Sequence, residues 1–408
     1  MMSEKKQILF VDDEPMLLRG VRRQLVDMQE CWKMVFVQSG EEALKTLSQA
    51  STPFDVLVTD IRMPGLDGVQ LLKKVQEQFP PMIRIVLSGQ VDQKAALRTA
   101  GLAHQFLSKP CQTLELKSVL SQALRQRKLL RSKSLRELTS QLKTLPSQPA
   151  LYDELVAEIE SPKASIKQVG YIISQDVAMT AKILQLVNSA FFGLGRRVSD
   201  PGQAVMLLGL DIIKALVLSI HIFGQFSAVK GSPVSLPGLQ QHSLAVAALA
   251  RRIAQVEKLD LQSTNFAFAA GLLHDVGRLV LVTNLLSDYG RAIELKSSQG
   301  LSLLEAERQI FGATHTEVGA YLMGLWGLPD PVVETLAFHH QPSSSRNKQL
   351  DPLTTVHVAN VLVHEGGSGA LSTASEFDET YLVEIGCLDK VPQWREIGQA
   401  LAEKGAGQ

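Results

Sequence analysis

Four charged residues and one serine in the first third of the chain are of the types that transfer phosphoryl groups. Asp12 and Asp13 follow a short apolar run, Asp60 and Ser88 each end another, and Lys109 precedes a proline. Clustered carboxylates bind Mg²⁺, and one carboxylate can accept a phosphoryl group as an acyl phosphate. We therefore expect Asp60 to be the acceptor and Asp12 and Asp13 to bind the metal. Lys109 would neutralise the phosphoryl oxygens, and Ser88 would donate a hydrogen bond to one of them.

Alternating strands and helices are predicted to position these residues. The apolar runs that are typical of buried strands are Ile8–Val11, Met34–Val37, Val56–Thr59, Ile83–Leu87 and Gln105–Leu107. Helical periods lie near residues 15–28, 41–49, 67–78, 92–100 and 113–124. This alternation predicts a five-stranded parallel sheet that is covered on both faces. In such sheets ligands bind beyond the carboxyl ends of the strands, where the polar residues fall.

Four short motifs resemble the receiver domain of two-component response regulators. They are VDDEP, VTDIRMPGLDG, LSG and FLSKP; the resemblance covers about residues 5–125 and implies a receiver domain over residues 1–125. It implies a doubly wound, flavodoxin-like α/β fold and phosphorylation of Asp60 by a histidine kinase. It also implies that Asp12, Asp13, Asp60 and the backbone carbonyl of Arg62 coordinate Mg²⁺.

The same resemblance implies a conformational switch. Ser88 and Phe106 would form the switch pair, in which the aromatic ring turns inward as the hydroxyl moves toward the phosphoryl group. A cis peptide bond is expected at Lys109-Pro110, since X–Pro bonds adopt this geometry readily. Phe106 could instead be an ordinary core residue.

A helical linker is predicted over residues 126–145. Leucines at 135, 138, 142 and 145 follow a 3-4-3 spacing, which is typical of a short coiled-coil seam and consistent with a homodimer. The segment is also basic, so a nucleic-acid-binding helix and a solvated connecting helix both remain open. Pro146 and Pro149 are expected to end the helix.

Histidines dominate the second half of the chain. Eight of the nine follow residue 200, and one of them forms the adjacent pair His274-Asp275 in the motif GLLHDVGR. Imidazole and carboxylate together suit a divalent transition metal, and a metal-bound hydroxide can attack a phosphoester. The candidate ligands of a second metal site are His242, His274, Asp275, His315, His339 and His340. The competing interpretation is a buried packing pair in which Asp275 fixes the imidazole of His274.

His242 and His274-Asp275 resemble the signature of the HD phosphohydrolase superfamily. The final Asp of that signature should fall near residue 360, where Asn360 stands, and an amide is a weaker ligand than a carboxylate. The landmarks LKTLPSQP, LWGLP and FHHQP resemble the HDOD domain, an HD relative used in signalling output. This resemblance implies an all-α HD-like domain over residues 146–345, and residues 346–408 are expected to be its helical extension. HD-type cyclic-di-GMP phosphodiesterases have a Gly-Tyr-Pro element after the paired histidines, and this chain has Gln341-Pro342 there.

Composition argues against several classes of partner. Lys+Arg and Asp+Glu both number 41, so no global attraction to nucleic acid or to an acidic membrane is implied. The three cysteines are widely spaced and fit a reducing compartment. We expect a cytoplasmic protein that binds its histidine kinase and a downstream signalling protein, without specific nucleic acid. The alternative is a receiver-gated, metal-dependent phosphohydrolase that acts on a nucleotide or cyclic dinucleotide.

Overall fold

The computed structural model describes most of the chain. The described residues are 5–89, 102–126, 139, 145–147, 149–161, 163–188, 198–210, 213, 223–225, 235–366 and 376–405. The predicted helix at 92–100 and most of the predicted linker helix, with three leucines of its seam, lie outside these residues.

The N-terminal domain is built on a five-stranded parallel sheet. Its strands are β1 (Lys6–Val11), β2 (Trp32–Val37), β3 (Val56–Asp60), β4 (Ile83–Gly89) and β5 (Gln105–Lys109). Their order is β2-β1-β3-β4-β5, and every pair is parallel. This order is the flavodoxin-like arrangement, which confirms the predicted fold class.

Helices cover both faces of this sheet. They are α1 (Pro15–Gln24), α2 (Gly40–Gln49), α3 (Gly68–Gln78) and α4 (Thr113–Gln126), with a short 3-10 turn at Val26–Met28. Alternate residues of β1 enter opposite cores: Ile8 and Phe10 pack in the core that includes residues of α1 and α4, and Leu9 and Val11 in the core with α2 and α3. Because both faces are covered, most of the buried strand residues are apolar, as the sequence predicts, although Gln7, Arg84 and Gln105 are buried polar exceptions.

The C-terminal domain is helical. Its helices are α5 (Pro149–Glu160), α6 (Ile166–Ser174), α7 (Val177–Val187), α8 (Pro201–Leu208), α9 (Leu236–Val256), α10 (Leu261–Leu273), α11 (Val276–Asn284), α12 (Leu286–Gln299), α13 (Leu303–Phe311), α14 (His315–Leu325), α15 (Asp330–Phe338), α16 (Pro352–Glu365), α17 (Glu379–Glu384) and α18 (Val391–Gly405). Two further 3-10 turns lie at Pro342–Ser344 and Leu388–Lys390. Helix α14 begins with a capping box, in which the side chains of Thr314 and Glu317 each accept a hydrogen bond from the other residue's backbone N–H.

A small parallel sheet corrects one detail of the sequence prediction. Strand β6 (Leu145–Ser147) pairs with β7 (Phe223–Gln225), so Leu145 belongs to a strand and is not the last leucine of a helical seam. Pro146 is compatible with this short strand and incompatible with a helix interior. Pro149 does not end a helix but begins α5, a position that proline favours.

One segment of the helical domain is long and apolar enough, by length and composition alone, to cross a membrane. Residues Leu261–Asn284, which cover α10 and α11, have a mean hydropathy of 1.4 in their most apolar window, and 89% of that window is buried inside the protein. One helix ends at Leu273 and the next begins at Val276, and His274-Asp275 lies between them. Such extensive burial is typical of two helices in the core of a folded domain.

Candidate functional site

Three carboxylates and a lysine meet at the carboxyl edge of the N-terminal sheet. Asp12 follows β1 and is 1% exposed, Asp60 ends β3, and Lys109 ends β5. One oxygen from each of Asp12, Asp13 and Asp60 lies within 4.8 Å of the others. The Lys109 Nζ donates to Asp12 Oδ2 and to Asp60 Oδ2, both at 2.6 Å. The structure therefore brings together four of the residues that the sequence analysis selected.

The loop after β3 fixes the Asp60 backbone. The Gly68 N–H donates to the Ile61 carbonyl at 2.8 Å, and Asp67 caps α3 through a capping box with Gln70. A Cβ at Gly68 would lie 1.9 Å from the Asp60 carbonyl oxygen, so only glycine fits this close approach. The Ile61 N–H donates to Asp60 Oδ1 at 2.6 Å, which orients the carboxylate.

The electrostatics of this pocket favour a charged lysine. Burial of Lys109 opposes its charge, but the carboxylates of Asp12 and Asp60 outweigh that effect and raise the pKa of Lys109. The donor set of Asp12, Asp13 and Asp60 consists of hard oxygens, which is the chemistry that Mg²⁺ requires. These carboxylates therefore fit the metal that the sequence analysis predicts.

Part of the predicted receiver site lies outside the described part of the structure. Strands β4 and β5 pair in register so that Ser88 faces Ser108, but the side chains of Ser88 and Phe106 are not among those described. The switch pair and the Arg62 carbonyl ligand stay predictions. The peptide bond between Lys109 and Pro110 is cis, as expected.

A second cluster of ionisable residues lies in the core of the helical domain. Helix α9 supplies His242, the break between α10 and α11 supplies His274-Asp275, and α14 begins with His315. His339 and His340 follow α15 directly. The groups that could share a metal ion are His242, His274 and Asp275 in one set and Asp275, His315, His339 and His340 in the other, with ligand atoms within 4.8 Å in each set. All six predicted candidates thus converge, and Asp275 belongs to both sets.

A close crossing of two helices places the shared aspartate beside His315. A Cβ at Gly277 in α11 would lie 1.9 Å from the His315 carbonyl oxygen, so α11 and α14 touch backbone to backbone. His315 Nε2 then lies 3.3 Å from Asp275 Oδ1, and Arg278 Nη1 lies 3.0 Å from Asp275 Oδ2. The close packing of α11 against α14 therefore explains why the motif GLLHDVGR has glycine at position 277.

The charges of this cluster divide it into ionised and neutral parts. Burial opposes the charge on Asp275, but Arg278, His274 and His315 hold its pKa well below the usual value. Burial likewise opposes a charged His315, yet the carboxylates of Glu307 and Asp275 raise its pKa to about 9. Asp275 is therefore ionised and His315 carries a positive charge.

The remaining imidazoles of the cluster are held neutral. Burial lowers the pKa of His242 to about 4 and also lowers that of His274. Burial also holds the pKa of His339 well below the usual value, and the neighbouring His340 lowers it further. The pKa of His340 is likewise held well below the usual value by burial, and next by His315. Neutral imidazole is the protonation state that binds metals.

Several buried ring nitrogens in this cluster have no hydrogen-bond partner in the described part of the chain. They are His242 Nδ1, His274 Nε2 and His339 Nε2. Unsatisfied buried polar atoms are rare because each carries a desolvation penalty, so three ring nitrogens in one cluster are candidate ligand atoms for a metal. Asn360 stands where the HD signature has its final Asp, and its Oδ1 lies 2.9 Å from His242 Nε2.

Sequence reasoning missed two members of the cluster, Glu307 and His364. The Glu307 carboxylate, in α13, accepts from the His315 N–H at 2.8 Å and lies 2.7 Å from His315 Nδ1. The His364 ring centroid lies 4.4 Å from that of His242, so His364 also belongs to this cluster. His357 is a core residue next to this cluster, and its two ring nitrogens are bonded to backbone groups of His339 and Asp378.

The two clusters are joined by the contact between the domains. Helix α4 follows β5 and packs against α14, which begins with His315. The Gln122 side chain in α4 donates to Asp330 Oδ1 at 3.3 Å at the start of α15, the helix that His339 and His340 follow. Helix α4, which follows the strand that ends at Lys109, thus contacts the two helices, α14 and α15, that position histidines of the second cluster.

Comparison with protein families gives two matches. Residues 8–121 match the model of the response regulator receiver domain, and residues 145–342 match the model of the HDOD domain. The first match contains the carboxylate cluster, and the second contains His242, His274-Asp275, His315, His339 and His340.

Curated relatives match parts of the chain. An uncharacterized protein of Treponema pallidum is 26% identical over 55% of this chain and 43% of its own length. The hydrogenase transcriptional regulatory protein HoxA of Cupriavidus necator is 39% identical over 27% of this chain and 22% of its own. The transcriptional regulatory protein FixJ of Bradyrhizobium diazoefficiens is 33% identical over 31% and 60%. The chain thus spans less than two thirds of each of these relatives.

Solved structures resemble the chain as well. The MmoQ response regulator from Methylococcus capsulatus is 21% identical, covers 62% of this chain and 98% of its own, and has a TM-score of 0.47. An HDOD domain protein of unknown function from Geobacter sulfurreducens is 24% identical, covers 69% and 98%, and has a TM-score of 0.35.

Proposed function

We propose that this chain, which joins an N-terminal response regulator receiver domain to a C-terminal HDOD domain, accepts a phosphoryl group at Asp60 from a histidine kinase and thereby controls what the HDOD domain binds. The observation that carries the proposal is the pair of 2.6 Å contacts from Lys109 Nζ to Asp12 and Asp60. It supports Asp60 as the acceptor because a cation already lies where phosphoryl oxygens would gather.

The proposed chemistry is an in-line phosphoryl transfer. A carboxylate oxygen of Asp60 attacks phosphorus, the N–P bond to the kinase histidine breaks, and an acyl phosphate forms. Lys109 stabilises the added negative charge on the phosphoryl oxygens. Asp12, Asp13, Asp60 and the Arg62 carbonyl would hold Mg²⁺, which neutralises phosphoryl charge when bound. Ser88 and Phe106 are the proposed switch pair.

The domain contact supports a route for the signal. Strand β5 ends at Lys109, and the residue before β5, His104, offers its carbonyl to the Gln185 side chain of the HDOD domain at 3.4 Å. Helix α4 then reaches α14 and α15 through the contacts described above. A shift of β5 and α4 on phosphorylation would bias the packing of these two helices.

The proposed organisation follows the sequence analysis. We assign residues 1–125 to the receiver, 126–145 to the linker, 146–345 to the HDOD domain and 346–408 to its helical extension. We place the protein in the cytoplasm with its kinase and an interaction partner, and propose that the linker allows a homodimer.

Phosphorylation of purified protein tests the acceptor. Incubation with acetyl phosphate and Mg²⁺ should add one phosphoryl group, which intact-mass analysis detects. Asp60→Asn should abolish the addition, whereas Asp27→Asn, an exposed aspartate paired with Lys117, should not. Labelling that persists in Asp60→Asn would show that another residue is the acceptor.

Hydrogen exchange tests the route. Phosphorylation should change the exchange rates of amides in α4, α14 and α15, and Asp60→Asn should remove the change. Helix α12, which packs against α11 and α13, is the internal reference. Equal exchange in α14 and α15 with and without phosphate would refute this route while leaving the acceptor intact.

A second candidate is metal binding by the histidine cluster, and with it phosphoester hydrolysis. It is favoured by the convergence of His242, His274 and Asp275 and by the unpaired ring nitrogens. Those nitrogens fit a divalent transition metal, which when bound would supply an activated hydroxide. Asn360 bonded to His242 weighs against hydrolysis, because the amide replaces the last carboxylate of the HD signature.

Metal analysis separates this candidate from a purely structural cluster. Bound metal and its stabilising effect on thermal unfolding should be lost in His274→Ala and kept in Lys163→Met, an exposed control in the same domain. Hydrolysis of a cyclic dinucleotide that depends on His274 would establish the enzyme and displace the interaction module. A metal-free protein whose melting does not respond to Zn²⁺ or Mn²⁺ would leave the packing interpretation.

A further inference from the structure

An exposed apolar groove lies between α6 and α8 of the HDOD domain, and none of its lining residues belongs to either cluster described above. Its volume is about 780 Å³. Tyr171 and Met206, on its two sides, are 58% and 67% exposed, and Ile166 is 37% exposed. Single exposed apolar side chains are ordinary, but a contiguous set that lines one groove marks an interaction surface.

The charged residues of the groove are mainly cationic. Lys167 is exposed on α6, and the Arg251 guanidinium lies 5.5 Å from the ring centroid of Phe268 on the groove wall. Asp200 is the one carboxylate among the described lining residues, and its Oδ1 accepts the Gln203 N–H at 2.6 Å as the cap of α8. The rim therefore offers two cations around an apolar interior, with its carboxylate engaged by the fold.

We propose that this groove binds an amphipathic segment of a partner protein in which bulky apolar side chains are flanked by acidic ones. The inference rests on the proposed function and names the surface through which the HDOD domain acts. Apolar anchors would fill the space between Tyr171 and Met206, and acidic side chains would pair with Lys167 and Arg251. Helix α6 has nine residues and is about 13 Å long, which matches roughly two turns of a partner helix.

Peptide binding to the full chain tests this proposal directly. The probe is a fluorescein-labelled helical peptide with Leu and Phe along one face and Glu beside them, and its counterpart has Lys at each Glu. By fluorescence anisotropy, the Glu peptide should bind about tenfold more tightly than the Lys peptide at low salt. The double variant Lys167→Glu, Arg251→Glu should reverse this preference.

Substitutions in the groove separate specific docking from general stickiness. Met206→Glu and Tyr171→Glu should each weaken binding of the Glu peptide about tenfold or more, because they place a charge where an anchor packs. Val383→Glu is the matched control, since Val383 is 61% exposed on α17 and does not line the groove. Circular dichroism melts check that every variant is folded.

Several outcomes would overturn the proposal. Equal binding of the Glu and Lys peptides, or equal losses in Met206→Glu and Val383→Glu, would remove the partner chemistry. A concentration-dependent dimer that Met206→Glu abolishes would assign the groove to a second copy, and duplex DNA binding lost in Lys167→Glu would assign it to nucleic acid. Met206→Glu should still accept phosphate at Asp60, so failure of the groove and failure of the receiver are distinguishable.

Discussion

Lys182 is a buried lysine whose charge we expect to lower the stability of the HDOD domain near neutral pH. It is 2% exposed in α7, and its Nζ donates to Gln185 Oε1 at 3.1 Å and lies 4.1 Å from the ring centroid of Trp326. No carboxylate of the described residues forms a salt bridge with it. Burial lowers the pKa of Lys182 from 10.5 to about 7.

This depressed pKa fixes the sign of a pH effect. The unfolded chain holds the Lys182 proton up to its ordinary pKa, whereas the folded chain releases it above about pH 7. Between these values the unfolded state binds more protons, so the free energy of unfolding rises with pH. The penalty is roughly 4–5 kcal/mol below neutral pH and decreases by about 3 kcal/mol between about pH 6.5 and about pH 9.5.

Lys182→Met tests this calculation because methionine keeps an unbranched chain without the charge. The variant should be more stable than the parent at about pH 6.5 by a few kcal/mol, and most of that advantage should vanish by about pH 9.5. Urea unfolding followed by tryptophan fluorescence measures both values. Lys163→Met, an exposed lysine of the same domain, should show no comparable pH-dependent advantage. An advantage that is equal at both pH values, or a loss at both, would refute the reasoning.

Three other substitutions test the packing of the HDOD domain by urea or thermal unfolding. Gly277→Ala should lower the free energy of unfolding by about 2–3 kcal/mol, since its Cβ would overlap the His315 carbonyl oxygen; a neutral result would mean that α11 and α14 can separate freely. Gly290→Ala, at a helical position with no atom within 4 Å of the new Cβ, should instead raise it by about 0.5–1 kcal/mol, and destabilisation there would contradict the open surface. Asn188→Ala should lower it by about 1–3 kcal/mol, because the side chain bonds Leu184 O and both backbone groups of Val198; an unchanged melting temperature would show these bonds are dispensable.

The position of the receiver pocket could be predicted from the sequence, because a general rule of parallel-sheet topology determines where its residues meet. Asp12, Asp60 and Lys109 each follow or end a parallel strand, and the carboxyl ends of such strands share one edge. Local pattern therefore determined three-dimensional proximity. The small β6–β7 sheet could not be found in this way, because three-residue strands that are far apart in sequence have no periodicity to detect.

The histidine cluster was predictable only as far as residue type and motif allow. The six candidates share a chemistry that metals require, and the structure brings them together. Glu307 and His364 were missed because their positions depend on how α13 and α16 pack, which local spacing does not encode. A signal for Glu307 existed, since a carboxylate eight residues before His315 stands beside apolar residues in an amphipathic helix.

One continuous cluster of buried apolar side chains extends from one face of the sheet into the helical domain. This shared core has a consequence for how the two domains evolve. If the two domains were encoded as separate polypeptides, each would expose to solvent the apolar surface that the other domain now covers. Recombination between relatives should then succeed only where α4 travels with the α14 surface that it covers. The two halves of the chain are therefore expected to evolve as one unit, with compensating changes across their boundary.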